Sequence, residues 1–167
     1  PSQAQMAQLS GLYQQGRFAD VVQVAKHLLQ AYPDTVALWS FLGAGSTQIG
    51  KTALAVKAYR QATQLAPQDA GLHFNFGVAL ADDGAPEPAL LAYQKAIRLK
   101  PDHVNAHNNR GNIFQDLGQL DAALEAYQTV TRLQPGHLGA LNNTGNVFKA
   151  MQDHTAARDT YLRVLET

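Results

Sequence analysis

The chain has 167 residues, 46% of them hydrophobic, and its 13 Lys and Arg balance 13 Asp and Glu to a net charge of zero. That balance lacks the basic excess that nucleic acid or an anionic membrane surface calls for, so neither is an expected partner. Cysteine is absent, which excludes disulfides and thiolate chemistry, and no apolar run approaches the roughly 20 residues needed to span a bilayer.

In chain order the first segment, 2–35, turns at Gly16 and closes at Pro33. The same plan then returns without gaps in 36–69, 70–103, 104–137 and 138–167. Gly16, Gly50, Gly84 and Gly118 are 34 residues apart, as are Pro33, Pro67, Pro101 and Pro135, and Tyr59, Tyr93, Tyr127 and Tyr161. Gly43, Gly77, Gly111 and Gly145 keep the same period. A fixed period of this size marks stacked repeats. In 36–69, Trp39, Leu42, Gly43 and Ser46 fall at i, i+3, i+4 and i+7, one helical face. Gly50 breaks that helix, and Ala55, Tyr59, Ala62 and Leu65 form a second stripe ended by Pro67. Each repeat is therefore predicted as two helices around a tight turn. The mid-helix glycines cost about 1 kcal/mol relative to Ala, tolerable where they admit a neighbouring helix, with the tyrosines as knobs.

The pattern W-x2-L-G, a glycine turn, A-x3-Y-x2-A and a closing proline, at Trp39, Leu42, Gly43, Gly50, Ala55, Tyr59, Ala62 and Pro67, resembles the tetratricopeptide repeat. The resemblance implies an all-α, right-handed α-solenoid of about five helix-turn-helix repeats forming one domain over 1–167. It also implies a protein-interaction scaffold whose first helices line a concave groove. The first repeat departs from the pattern: Leu9 replaces the first-helix glycine, Val21 the alanine and Ala25 the tyrosine. It is read as a capping repeat. In the fifth repeat Gln152 replaces the turn glycine, which leaves the geometry of that turn open.

With the packing stripe of each first helix at repeat positions 4, 7, 8 and 11, positions 2, 5, 6, 9, 12 and 13 point to the other side. All eight asparagines lie at such positions: Asn75, Asn105, Asn108, Asn109, Asn112, Asn142, Asn143 and Asn146. Asn is a poor helix former, so its concentration inside helices opposes local propensity. A side-chain amide matches both the N–H and the C=O of an extended chain. These eight residues are accordingly candidate peptide contacts. The row resembles the asparagine ladder in the repeat superhelix of O-linked N-acetylglucosamine transferases and related bacterial repeat proteins. The alternative is that the amides bond one another and tie the repeats together. Met6, Tyr13, Phe41 and Phe74 occupy the same face in repeats 1 to 3. Phe41 and Phe74 are candidate apolar contacts for a peptide side chain, or else pack along the inner helix surface.

Three signals resemble chemistry and are set aside. Residues 45–52 read GSTQIGKT, a literal phosphate-loop pattern, but the repeat register places Gly45 inside a helix and Gly50 among the turn glycines. His103 and His107 have the i, i+4 spacing of a metal pair, yet His103 aligns with His137, and His107 aligns with His73 and Trp39, which assigns them packing or capping roles. Asp82, Asp83 and Asp116 stand near first-helix ends with no partnered nucleophile. No enzyme activity, cofactor or metal is expected. Three readings stay open: a module binding a protein or peptide, the targeting arm of a larger glycosyltransferase or sulfotransferase, and a scaffold that self-associates through Tyr161, Val164 and Leu165 of the last helix. The start at Pro1 rather than Met leads us to expect a piece of a longer protein. With no signal peptide in it, its expected location is cytoplasmic.

Overall fold

A computed structural model describes residues 1–165. They form ten helices and no strand: α1 (Gln3–Gln14), α2 (Phe18–Ala31), α3 (Val36–Gln48), α4 (Thr52–Leu65), α5 (Ala70–Asp82), α6 (Pro86–Leu99), α7 (Val104–Asp116), α8 (Leu120–Leu133), α9 (Leu138–Ala150) and α10 (His154–Leu165). The fold class is all-α, with two helices per 34-residue period, as the spacing predicts. The chain divides within α6 into an N-terminal unit, Pro1–Lys95, and a C-terminal unit from Ala96 onward. In both, helices pack chiefly on their neighbours in sequence. First helices also meet one another, α3 with α5 in the N-terminal unit and α7 with α9 in the C-terminal one.

The turns explain why the period is so regular. Gly16, Gly50, Gly84 and Gly118 have φ between 69° and 78°, the left-handed region open to residues without a Cβ. At Gly50 the helix ends with its own N–H on the Thr47 carbonyl (3.1 Å) and the next N–H, of Lys51, on the Ser46 carbonyl (2.9 Å). This pair of hydrogen bonds satisfies two of the last carbonyls of α3. The fifth turn keeps both bonds, Gln152 to Lys149 and Asp153 to Phe148, with Gln152 itself at φ 63°. The side chain thus costs about 1–2 kcal/mol of backbone strain without changing the turn. Gly45, by contrast, sits in α3, where a Cβ would lie 3.2 Å from the Phe18 carbonyl oxygen and the Val21 and Val22 side chains. It is a close-packing glycine between α2 and α3, and no strand precedes it.

Within repeats 2 to 5 the knob is the tyrosine of the second helix. A Cβ on Gly43 would come 2.8 Å from the Tyr59 ring, and on Gly77 or Gly111 2.6 Å from Tyr93 or Tyr127. Tyr161 stands against Gly145 in the same way. The first repeat exchanges the two sizes. Leu9 fills the glycine position and Ala25 the tyrosine position, and both are fully buried with Val21 in one cluster. Its departure from the pattern is a volume-conserving swap across the same contact, the kind that cores tolerate best.

A second tie recurs at repeat position 4. The Trp39 Nε1–H donates to the Pro33 carbonyl (2.6 Å), and His73 and His107 place Nε2 at 3.0 and 2.9 Å from the Pro67 and Pro101 carbonyls. A carbonyl only accepts, so both histidines carry the proton on Nε2. Each bond fastens a first helix to the proline closing the preceding repeat. Leu141 holds this position in the fifth repeat and has no side-chain N–H to offer.

Candidate functional site

In the C-terminal unit the glycine–tyrosine contact does more than fill space. Because Gly111 has no Cβ, the Tyr127 ring reaches past the α7 backbone to the asparagine face. Its hydroxyl donates to the Asn112 Oδ1 at 2.8 Å, with the Gln115 Oε1 at 3.1 Å as the alternative acceptor. Asn143 of α9 donates from Nδ2 to the same Asn112 oxygen at 3.1 Å, linking the two first helices. One repeat on, the Tyr161 hydroxyl donates to the Asn146 Oδ1 at 2.7 Å. Burial, with the Asp116 carboxylate adding, pushes the Tyr127 hydroxyl up to about 12. It therefore stays protonated and a donor throughout the neutral range.

Three asparagines are thus partly engaged inside the protein. Asn112 and Asn146 spend one oxygen lone pair on tyrosine, and Asn112 keeps its NH2 while Asn143 keeps its oxygen. Asn109 stands half-buried on the same helix as Asn112, and Asn105 and Asn142 are exposed. The Asn108 Oδ1 is buried with no hydrogen-bond partner among the described residues. Sequence position alone put all seven on one face. It could not show that a tyrosine hydroxyl would hold two of them.

The N-terminal unit carries the remaining predicted contacts together. Tyr13, Phe41, Ala44, Tyr59, Phe74 and Asn75 line adjoining concavities over α3 and α5. Tyr13 meets Phe41 edge-on with ring centroids 6.2 Å apart, and Phe18 at 5.2 Å. Phe74 packs on Tyr93 at 5.9 Å. Phe41, Phe74 and Asn75 are half-buried, so each presents part of its surface to the cavity. Asn75 thus stands among the aromatics, and the apolar and amide residues of this face meet on α5. Tyr59, taken from sequence only as a packing knob, also lines this cavity, and burial with Tyr13 alongside pushes its hydroxyl up to about 12.

The histidines serve helix ends. His103 and His137 accept the Ala106 and Ala140 N–H on Nδ1 at 3.3 and 3.0 Å, capping α7 and α9. Among the described residues no group of three or more His, Cys, Asp or Glu could hold a metal ion. Burial and then Lys100 lower the His103 value from the ordinary 6.5. The neutral ring is the form the fold favours. Its stabilisation is complete above the unfolded value and is lost as pH falls from there through the lowered folded value. His103→Asn retains a capping oxygen without the titration. It is expected to flatten part of the fall in thermal midpoint between about pH 7.5 and about pH 5. A variant whose midpoint falls in parallel with the parent's would remove His103 from that role.

On α10, Tyr161 and Val164 are half-buried while Leu162 and Leu165 are 50% and 83% exposed. Tyr161, Leu162 and Leu165 form an apolar surface beside Lys149 and Arg158. No helix among the described residues is long and apolar enough to cross a membrane.

Comparison with known proteins places this architecture. Residues 104–137 match the tetratricopeptide repeat model, and residues 47–84 and 86–118 match a second model described as TPR repeat. No curated protein sequence matches the chain. Among solved structures, MamA superposes with a TM-score of 0.91 at 23% identity, over 95% of this chain and 92% of that one. MamA from Desulfovibrio magneticus RS-1 gives 0.91 at 17% identity, covering 98% and 92%. YrrB, described as a TPR protein with an unusual peptide-binding site, gives 0.83 at 18% identity, covering 99% and 86%. At these identities the likeness establishes the fold, an all-α helical-repeat solenoid.

Proposed function

We propose that this tetratricopeptide-repeat chain is a protein-interaction scaffold that holds an extended peptide segment of a partner on the asparagine-bearing faces of its first helices. The observation that carries this reading is the state of the amides in the C-terminal unit. Tyrosine hydroxyls and a neighbouring amide orient Asn112, Asn143 and Asn146, yet each retains donors or acceptors not spent inside the protein. A preset amide loses little side-chain freedom on binding, which favours affinity. Adjacent helices pack about 8–10 Å apart and an extended chain rises about 3.3 Å per residue. One amide per repeat therefore meets roughly every third peptide residue, through backbone groups common to all sequences. The peptide-binding site named for YrrB, a chain of similar fold, supports the same class of ligand. So does the resemblance of the asparagine row to the ladder of O-linked N-acetylglucosamine transferases.

The test is a peptide array read with the parent protein and with an Asn109→Ala, Asn143→Ala double variant. Loss of two backbone contacts is expected to weaken binding on the order of tenfold while helicity by circular dichroism is retained. Binding unchanged in the double variant would return these amides to a purely structural role.

A further inference from the structure

Repeat 2 lacks one partner that repeats 4 and 5 supply. The acceptor of the tyrosine hydroxyl is fifteen residues before it, Asn112 for Tyr127 and Asn146 for Tyr161. The corresponding residue for Tyr59 is Ala44. Tyr59 is 5% exposed and makes no side-chain hydrogen bond among the described residues, and neither does Asn75 across the cavity. The cavity they share is walled by Tyr13, Phe41 and Phe74, and none of its lining residues is charged. Ser40 and Thr47 spend their hydroxyls on carbonyls of their own helix, so the aromatic part of the cavity is a socket edged by the Tyr59 hydroxyl and by the amides of Asn75 and Gln48. Putting Ala where repeats 4 and 5 have Asn both opens the space and leaves the hydroxyl free of that internal acceptor and open to one from outside.

We propose that this socket takes one large, uncharged apolar side chain of a partner peptide, with the Tyr59 hydroxyl donating to the peptide carbonyl beside it. The inference rests on the peptide-holding reading above and adds a side-chain preference to it. The absence of charged walls disfavours Lys, Arg, Asp and Glu at this point, since a charge buried there would find no counterion. Aromatic walls in edge-on contact favour Phe or Leu, whose apolar area they can cover. Asn75 is placed to meet the N–H or the C=O of the same residue.

The experiment uses small probes, so that it does not depend on the C-terminal amides. N-acetylphenylalaninamide and N-acetylleucinamide carry the side chain and the carbonyl together; the alanine and lysine analogues are the controls. In two-dimensional NMR titrations of the whole chain, the first two probes are expected to shift the signals of residues 41, 44, 59, 74 and 75, and the controls to leave them in place. Tyr59→Phe is expected to weaken phenylalaninamide binding about threefold to tenfold. Ala44→Asn restores the internal acceptor and fills the socket, so binding is expected to vanish while the thermal midpoint is not lowered. Should Ala44→Asn fail to fold, the Tyr59→Phe comparison decides alone. Equal binding of lysinamide, full affinity in Tyr59→Phe, or shifts at these residues that grow with protein concentration without probe would each overturn the proposal. The last would identify a second copy as the occupant. Failure here with a positive array result would leave the amide reading standing, and the converse result would leave the socket.

Discussion

Gly111→Leu and Tyr127→Ala are each expected to destabilise the C-terminal unit severely, and the double variant to lose much less than the sum. In the single leucine variant a Cβ alone would lie 2.6 Å from the Tyr127 ring, and the rest of the side chain has no space to enter. The cost is expected at or above the roughly 1–3 kcal/mol usual for overpacking. Tyr127 is fully buried, so its truncation to alanine is expected to cost about 3–5 kcal/mol, the range for a large aromatic. The double variant reproduces the arrangement of Leu9 and Ala25, which the first repeat already packs without exposure. A coupling on the order of 1–3 kcal/mol in urea denaturation is expected. Additive losses would show that the glycine and tyrosine act through different neighbours.

The second expectation concerns the same tyrosine at its other end. Asn112→Ala deprives the Tyr127 hydroxyl of its nearer acceptor and the Asn143 amide of its acceptor on α7. Gln115 remains for the hydroxyl at 3.1 Å. The loss is expected at about 1–2 kcal/mol, the cost of leaving partly buried polar groups unpaired. Asn105→Ala, at an exposed position of the same helix, is expected to change stability by less than about 0.5 kcal/mol. A similar cost at both sites would mean that asparagine acts on this helix only through backbone preference.

The turns were legible because the backbone demands a left-handed residue at one point in each period, and only Gln152 obscured it. The glycine–tyrosine contact was legible as spacing, since a knob needs a hole. What spacing could not convey was direction. Where a tyrosine hydroxyl ends depends on how its ring passes the missing Cβ and on the side chain it meets there, Asn112 for Tyr127 and Asn146 for Tyr161. For the same reason spacing presents Tyr59 as a packing residue alone and gives no sign of the space that Ala44 leaves. Asn75 was grouped with the amides by its repeat position, while its actual neighbours, Phe74 beside it and Phe41 on α3, come from two different helices. The histidines reversed the usual risk. Their i, i+4 spacing resembled a metal pair, and register alone assigned them to packing or capping, but only the geometry showed which nitrogen each one uses.

The central claim is that the first-helix amides of the C-terminal unit contact the backbone of a bound peptide. The most direct measurement follows the side-chain NH2 signals of the asparagines by 1H–15N NMR while an array-selected peptide is added. The Asn109, Asn112 and Asn143 signals are expected to shift together and saturate with the peptide. Shifts confined to α8 and α10, with those amide signals unmoved at saturation, would contradict the claim.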